Sequence, residues 1–250
     1  MSARDWDAST YERVSGPQVS WAREVLDRLP LRGDETVLDA GCGTGRVTQL
    51  LLERLPRGRV VAVDAAPSMV AAARAALDGR ATVIHRDLVE LELDQQVHAV
   101  FSNAVFHWVP DHGRLFERLH AALRPGGRLV AQCGGKGNID AFHALAAEVA
   151  SAEPFAGHLA GWQGPWNFAG AEETRDRLEA AGFVDVETSL EDWPVFPSEP
   201  SDYIRTVCLG HHVDRLPPEL REPFVEAVAA RLGEPPELDY VRLNISARRA

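Results

Sequence analysis

A glycine-rich turn preceded by a carboxylate is the feature of this 250-residue sequence that points most directly to ligand chemistry. The run 37–45 reads V-L-D-A-G-C-G-T-G, which places Asp39 just before the glycines at positions 41, 43 and 45. Because glycine has no Cβ atom, such a turn lets the backbone bend tightly and approach a bound molecule closely. The helix expected after the turn would add free N–H groups and a partial positive field at its N-terminus.

A second carboxylate, Asp64, ends the next apolar run, about twenty residues after the turn, where an acidic group can accept hydrogen bonds from ribose hydroxyls. The turn and this carboxylate together predict an adenosine-containing cofactor. Two alternatives stay open at this point: a strand-to-helix turn that binds nothing, and a site for NAD. The spacing G-x-G-x-G argues against NAD, whose fingerprint is G-x-G-x-x-G.

Short apolar runs alternate with helix-length segments, a pattern typical of a parallel sheet covered by helices. The first half predicts strands at 36–40, 59–64, 81–85, 97–103 and 127–133, and helices at 44–55, 67–77 and 111–123. The second half predicts helices at 139–150, 171–181, around 203–210 and at 219–232, a strand at 183–190, and a last strand within 239–250. We therefore predict one α/β domain over residues 1–250, built on a Rossmann-like, doubly wound sheet of about seven strands. Its last strand is expected to be antiparallel.

Two irregular stretches, at about 138–170 and 192–236, are expected to form helical lid insertions above the sheet. Ligands of open α/β sheets bind outside the carboxyl edge, which such insertions would cover. Their aromatic side chains could line an apolar substrate pocket or form the lid's own small core. The candidate substrate residues here are Trp162, Trp166, Tyr203 and His211.

Five motifs in order carry a resemblance to a known family. VLDAGCGTGRVTQLL resembles the first motif of class I S-adenosylmethionine-dependent methyltransferases, and VVAVDAAPSMVAAAR resembles their second. Asp87-Leu88, FSNAVFHWVPD and LRPGGRLV follow in the family's order, so that the resemblance spans roughly residues 6–132. WDASTYERVSGPQ and SNAVFHWVPDH are most similar to the trans-aconitate methyltransferase group, which methylates small carboxylates. After the fifth strand, Q-C-G-G-K-G-N at 132–138 departs from that group's Pro- and Asn-containing turn.

The resemblance implies S-adenosylmethionine as the cofactor and a role for each matching residue. The loop under its methionine part would comprise Gly41, Cys42, Gly43, Thr44 and Gly45, and Asp39 would bind its ammonium group through water. Asp64 would bind the ribose hydroxyls, while the adenine would meet Ala65, Met69, Asp87 and Leu88. Asn103 would lie beside the cofactor, and Tyr11 and Gln18 would close over it.

His107 is the candidate catalytic residue, because imidazole titrates near neutrality and can act as a base or bind a substrate. A packed or capping histidine is the alternative, and Trp108 beside it is a candidate substrate residue or a wall. His211-His212 with Asp214 lacks the i, i+4 spacing of a two-histidine metal site, so no metal is expected. Cys42 is interpreted as a small residue in a crowded turn and not as a nucleophile.

The composition excludes several classes of protein. The formal net charge of −11 argues against nucleic-acid partners, which demand a basic face. Three widely spaced cysteines suit a reducing compartment, and the polar N-terminus lacks the apolar core of a signal peptide. No apolar run reaches the roughly 18 residues of a membrane span. We expect a cytoplasmic enzyme with a small-molecule substrate, and the oligomeric state is left open.

The expected reaction is methyl transfer to a small molecule, with a carboxylate as one candidate acceptor. A carboxylate is ionised at pH 7 and needs no base, whereas a phenol or an amine would draw on one. O- or N-methylation of such a phenol or amine is the first alternative. A NAD-dependent oxidoreductase and a relative that binds the cofactor without catalysis are the remote ones.

Overall fold

Seven strands form one mixed sheet in the computed structural model, which describes residues 16–197, 200–233 and 235–250. In chain order the strands are β1 (Thr36–Ala40), β2 (Arg59–Asp64), β3 (Thr82–His85), β4 (Val97–Asn103), β5 (Leu123–Gly134), β6 (Phe183–Asp192) and β7 (Val241–Arg249).

The strand order across the sheet is β3-β2-β1-β4-β5-β7-β6. The first five strands pair in parallel, and β7 is antiparallel to both β5 and β6. Between β1 and β4 the order reverses direction, which leaves a crevice at the carboxyl ends of these two strands. The topology therefore fixes where a ligand site can lie.

Helices cover both faces of the sheet, because neighbouring residues of a buried strand point to opposite sides. In β1, Leu38 packs on one face with Leu115 and Phe116, and Val37 packs on the other with Leu26 and Leu51. The helices are α1 (Gly16–Asp27), α2 (Arg46–Arg54), α3 (Pro67–Leu77), α4 (His112–Ala122), α5 (Asp140–Ala150), α6 (Ala156–Leu159), α7 (Ala171–Ala180), α8 (Pro200–Tyr203), α9 (Gly210–Arg215) and α10 (Pro218–Ala229).

The two irregular stretches, 138–170 and 192–236, supply most of a separate hydrophobic cluster, which we call the cap cluster. Phe142 and Phe155 from the first stretch meet Ile204 and Phe224 from the second in its interior. Trp21 of α1 and Tyr240, just before β7, join the same cluster. The stretches therefore pack against each other as one body above the sheet.

The predicted architecture is confirmed, including the seven strands and the antiparallel last strand. Helices α1 and α6 were not predicted, and two of the predicted elements differ from expectation. Strand β5 begins at Leu123, before the predicted 127, because Leu123 pairs with Val97 and the register shifts before Arg128 resumes the ladder. The helix expected around 203–210 is broken into α8, a π-helical turn at Ile204–Cys208 and α9. None of the described helices is long and apolar enough to span a bilayer.

A buried side-chain pair links β5 to β7. Gln132 Nε2 donates to Asn244 Oδ1 at 2.8 Å, and both residues are buried. Because a buried polar atom without a partner costs more than the hydrogen bond itself contributes, we expect Gln132→Leu to lower the free energy of unfolding by about 1–3 kcal/mol. Urea denaturation measures this loss.

Gln96→Leu is the matched control, since Gln96 donates to the Ala121 carbonyl from an exposed position. Its effect should stay within about 0.5 kcal/mol. Combining Gln132→Leu with Asn244→Leu should cost less than the sum of the two single substitutions. Strict additivity would show that the pair is not coupled.

Candidate functional site

A cavity of about 1060 Å³ opens at the carboxyl ends of β1, β2 and β4. One side is formed by the glycine-rich turn and the residues that follow β2 and β3, and the other side is formed by the cap stretches. Nearly every residue expected to touch the cofactor lines this cavity: Asp39, Gly41, Cys42, Gly43, Thr44, Asp64, Ala65, Met69, Asp87, Leu88 and Asn103.

The three glycines of the turn serve three different purposes, although all have positive φ. A Cβ atom on Gly41 would collide with the side chain of Val105, so only glycine lets the backbone after β1 lie this close to Val105. Gly45 ends the turn before α2, and a Cβ there would press on Leu77 of α3, so its absence lets two helices approach. A Cβ on Gly43, with φ 53°, would meet nothing within 4 Å. Gly43 alone combines this open space with a place on the cavity wall.

The amides of the turn are largely used inside the protein. The N–H groups of Gly41 and Cys42 donate to the Val63 carbonyl, and that of Gly43 donates to Asp64 Oδ2 at 2.9 Å. At Gly41, Cys42 and Gly43 the turn therefore offers a ligand a backbone surface and not free N–H donors.

Asp64 holds the turn in place with both of its oxygens. Oδ2 accepts the Gly43 N–H, and Oδ1 accepts the Ala66 N–H at 2.9 Å. Burial raises the pKa of this carboxyl, and the backbone donors oppose the rise. Each carboxylate oxygen has a second lone-pair site, so Asp64 can still accept hydrogen bonds from a diol in the cavity.

Asp39 is a buried carboxyl at the end of β1 and is 2% exposed. Its Oδ2 accepts a 2.6 Å hydrogen bond from Thr48 Oγ1. Burial raises the pKa of Asp39 to about 7, against the opposing effect of Thr48. A cation placed in the cavity beside it would favour the ionised form.

Apolar and polar groups alternate around the cofactor side. Met69 is buried on α3, and Leu88 begins a 3₁₀ turn capped by Asp87, whose Oδ1 accepts the Val89 N–H at 3.1 Å. S-Adenosylmethionine needs apolar contacts for its adenine, hydrogen-bond acceptors for its ribose diol and an anion for the ammonium group of its methionine part. Met69, Asp64 and Asp39 provide these, so the residues present fit the cofactor that the sequence implies.

His107 lies in a 3₁₀ turn, Phe106–Trp108, that follows β4, and it is buried between aromatic rings. Its ring stacks on Phe168 at 5.6 Å, and Nδ1 accepts the Gly134 N–H at 3.2 Å. Burial lowers the pKa of His107 to about 3, and the nearby Arg242 cation contributes to the shift. The ring is therefore neutral near pH 7, with its proton on Nε2. As a general base it would be far too weak.

Aromatic rings wall the end of the cavity opposite the turn. Trp108, Trp166 and His211 line it as expected, together with Phe168. Trp166 stacks on Phe168 with nearly parallel planes, 7° apart. Gly164, with φ 80°, makes this possible, because a Cβ there would overlap the Trp166 ring.

Several predicted site residues lie elsewhere. Trp162 and Tyr203 do not line the cavity: Trp162 packs against His212 and Arg215, and the Tyr203 hydroxyl hydrogen-bonds to that of Tyr240 in the cap cluster. Gly45 packs helices and does not face the ligand space. Tyr11 falls outside the described residues, and for Gln18 only the backbone of α1 is described.

Cys42 lines the cavity, but burial raises the pKa of its thiol far above the usual range, which suits a packed side chain and not a nucleophile. Across the described ranges, no three or more His, Cys, Asp or Glu residues are grouped so that they could hold a metal ion.

A group of wall residues from distant parts of the chain was not predicted from the sequence: Trp21, Asn138, Ile139, Tyr240 and Arg242. Polar and apolar residues alternate along β7, and two of the polar ones, Arg242 and Asn244, are buried. Backbone strain marks the same region. Ala104 and Ile139 both have positive φ, 63° and 50°, and both line the cavity. Such strain concentrates at functional sites.

This chain resembles known methyltransferases. Residues 37–127 match the model of a methyltransferase domain. A trans-aconitate 2-methyltransferase from Methylobacterium nodulans is 33% identical over 98% of this chain and 98% of its own length. A protein of the same name from Rhodopseudomonas palustris is 32% identical over 94% of this chain and 93% of its own.

Among solved structures, phosphoethanolamine N-methyltransferase 2 from Haemonchus contortus, in complex with phosphomonomethylethanolamine and S-adenosylhomocysteine, shares the fold. The TM-score is 0.65 at 20% identity, over 97% of this chain. This chain spans about half of that protein, 56% of its length.

Gly43 gives a direct test of the turn. Gly43→Ala should fold and lose cofactor affinity by about tenfold or more, or about 1.4 kcal/mol, because its methyl group would enter the ligand space. Calorimetric titration with S-adenosylhomocysteine measures the loss. Gly79→Ala is the matched control, since Gly79 also has positive φ and open surroundings but lies away from the cavity. Equal affinities in the two variants would remove Gly43 from the site.

Asp39 predicts a pH dependence of cofactor binding. With its pKa near 7 in the free protein, a bound cation should expel the proton. Affinity for S-adenosylmethionine should therefore fall as the pH drops from 7 to 5.5, by up to about tenfold per pH unit. Titrations at pH 6 in buffers of different ionisation enthalpy should detect the released proton. Asp39→Asn should abolish the release and Asp87→Asn should keep it; release that persists in Asp39→Asn would assign the proton to another group.

Proposed function

The chain belongs to the class I S-adenosylmethionine-dependent methyltransferase family that includes the trans-aconitate 2-methyltransferases, and from this membership we propose that it methylates a carboxylate oxygen of a small organic acid. S-Adenosylmethionine is its cofactor, and the enzyme is a methyl transferase. The identity of the acceptor is the part that we propose.

The state of His107 is the observation that carries this proposal. Its pKa of about 3 and the Gly134 N–H on its Nδ1 leave it unable to take a proton from a phenol or an ammonium group near neutral pH. A carboxylate is already ionised and needs no such help. His107 then acts as a donor through Nε2, which orients the acceptor. The name shared by the two curated relatives supports the same acceptor class.

We assign the cofactor contacts to the residues that line its side of the cavity. Asp39 and the turn at Gly41, Gly43 and Thr44 hold the methionine part, while Cys42 packs behind it. Asp64 accepts hydrogen bonds from the ribose. The adenine would lie among Ala65, Met69, Asp87 and Leu88, and Asn103 would lie beside the cofactor where β4 ends. When bound, the cofactor supplies a methyl group on a cationic sulfur, which an acceptor oxygen takes up by in-line displacement.

The protein's own contribution is alignment and exclusion of water. An anionic acceptor and a cationic sulfur both lose their charge on transfer, so a dry site favours the reaction. Trp108, Trp166 and His211 would hold the acceptor against the cofactor in the geometry of attack. We propose that the stretches 138–170 and 192–236 act as a lid that completes this compartment, so that residues 1–250 work as one catalytic unit.

The side of the cavity formed by the cap stretches, where we place the acceptor, is called the acceptor side. Side chains from three parts of the chain wall it, which favours a small molecule over a macromolecule. The net charge of −11 weighs against a nucleic-acid substrate. The three cysteines are buried and unpaired, which supports a cytoplasmic location.

A product assay tests the acceptor class. The purified protein is incubated with cofactor carrying a labelled methyl group and a panel of small carboxylates, phenols and amines. A methyl ester releases labelled methanol in mild base, whereas a methyl ether or an N-methyl amine does not. We expect base-labile label with at least one carboxylate. Turnover confined to base-stable products would refute the proposed function.

His107→Gln tests the donor role with the same assay. Glutamine keeps an N–H near the position of Nε2 but cannot act as a base, so kcat should stay within about tenfold of the original. An essential base would cost about 10²- to 10⁴-fold. His98→Gln is the matched control for folding, because His98 Nδ1 also accepts a backbone N–H, from Thr36, outside the cavity. A pH profile of kcat between 6 and 8 should show no inflection from His107.

A further inference from the structure

Arg242 places a positive charge in the wall of the cavity. It is the second residue of β7, is 4% exposed and lines the acceptor side together with Tyr240. Burying a guanidinium is costly unless its surroundings or a ligand compensate. Arg242 therefore brings a buried positive charge to the edge of the substrate compartment.

The sheet register ties Arg242 to the acceptor site. Arg242 lies directly opposite Gly134 in the antiparallel pairing of β5 with β7. The Gly134 N–H is the group that fixes the ring of His107. The charge of Arg242 also contributes to lowering the pKa of His107, so its field reaches that ring. Arg242 and His107 thus belong to the same end of the cavity.

Two aromatic rings hold the guanidinium. Its central carbon lies 4.0 Å from the centroid of Trp21 and 4.7 Å from that of Tyr240. Such contacts stabilise a buried cation, and a guanidinium binds a carboxylate through paired N–H donors. The two rings therefore hold the Arg242 cation at the cavity wall.

Arg242 lies apart from the carboxylates of the first strands. Asp39 and Asp64 lie at the ends of β1 and β2 and Asp87 follows β3, whereas Arg242 lies on the far side of β4 and β5. The other charged residues of the wall are Arg46, Asp111 and Asp214. The carboxylates near β1 and β2 suit the cation of the cofactor, and the cation of Arg242 suits an anion of the acceptor.

We propose that Arg242 binds a carboxylate of the acceptor other than the one that receives the methyl group, and so selects acids with more than one carboxylate. A paired guanidinium occupies both oxygens of the group that it binds and lowers their nucleophilicity, so it suits a non-reacting carboxylate. This inference rests on the proposed function, because it presumes a carboxylate acceptor. It assigns to β7 a role in substrate choice that the cofactor side does not have.

The test compares two acceptors in four proteins. The probes are trans-aconitate, which has three carboxyl groups, and crotonate, an unsaturated acid with one. The proteins are the original, Arg242→Met, Arg242→Lys and Arg248→Met. Arg248 lies on the same strand with a side chain that is 40% exposed and paired with Asp185, so it controls for loss of an arginine from β7. Affinity for S-adenosylhomocysteine reports whether each variant retains its fold.

We expect Arg242→Met to raise the KM for trans-aconitate by about 30-fold or more, the scale for removing one partner of a buried charge pair. The KM of Arg242→Lys for trans-aconitate should lie between those of the original and Arg242→Met, since lysine keeps the charge without the paired donors. Crotonate turnover should be weak in the original and little changed by either variant. Arg248→Met and the affinity for S-adenosylhomocysteine should stay within about twofold of the original, less than 0.5 kcal/mol.

The measurements separate a failure of the role of Arg242 from a failure of the proposed function. An unchanged KM for trans-aconitate in Arg242→Met, with base-labile product still formed, would overturn the role of Arg242 and leave the proposed function standing. Equal use of crotonate and trans-aconitate by the original protein would do the same. If the original forms no base-labile product with any acid, the proposed function fails and this inference fails with it.

Discussion

The tight turn at the end of β1 constrains everything that surrounds it. At Gly41 the backbone passes Val105 with no room for a Cβ atom, and at Gly45 it lets α2 approach α3. Asp64 then ties Gly43 to the end of β2 through one oxygen and Ala66 through the other. Because three strand ends and two helices meet at this turn, its shape sets the position of every group on the cofactor side of the cavity.

The electrostatics of the cavity follow from burial. Removing Asp39 from water raises its pKa to about 7, and removing His107 lowers its pKa to about 3, so both tend towards their neutral forms in the absence of ligands. A cationic cofactor reverses this tendency at Asp39 by supplying the missing opposite charge. The cation of Arg242 further disfavours protonation of His107. A cationic cofactor and an anionic acceptor therefore carry charges opposite to those of Asp39 and Arg242.

Most of the residues that the sequence assigned to the cofactor meet at one cavity because the signals that identified them are local. The glycines, Asp39 and Asp64 sit at fixed distances from strands that can be recognised by their apolar runs, and parallel strands bring their carboxyl ends to one edge. The position of His107 after β4 was predicted in the same way. The low pKa of His107 was not predicted, because the ring is buried against Phe168 and bonded by Gly134, which lie far along the chain.

The acceptor side resisted prediction because its walls come from segments distant in sequence. Trp21, Tyr240 and Arg242 meet only after β7 has inserted between β5 and β6. Aromatic content alone also could not separate Trp166, which faces the cavity, from Trp162 and Tyr203, which pack inside the cap. The turn at Gly164 sets the position of Trp166, because the indole ring packs directly against the backbone of Gly164.

The cap cluster is separate from the hydrophobic clusters beneath the cofactor side, and this separation bears on substrate specificity. The cap cluster shares none of its buried members with the clusters that support β1, β2 and α2. Substitutions far apart and without common partners act nearly independently. Trp166 and His211 pack on each other and on Trp108, and not on the turn at Gly43, so changes there can reshape the acceptor wall without disturbing that turn. A single sheet can in this way keep one cofactor while its cap is fitted to different acceptors.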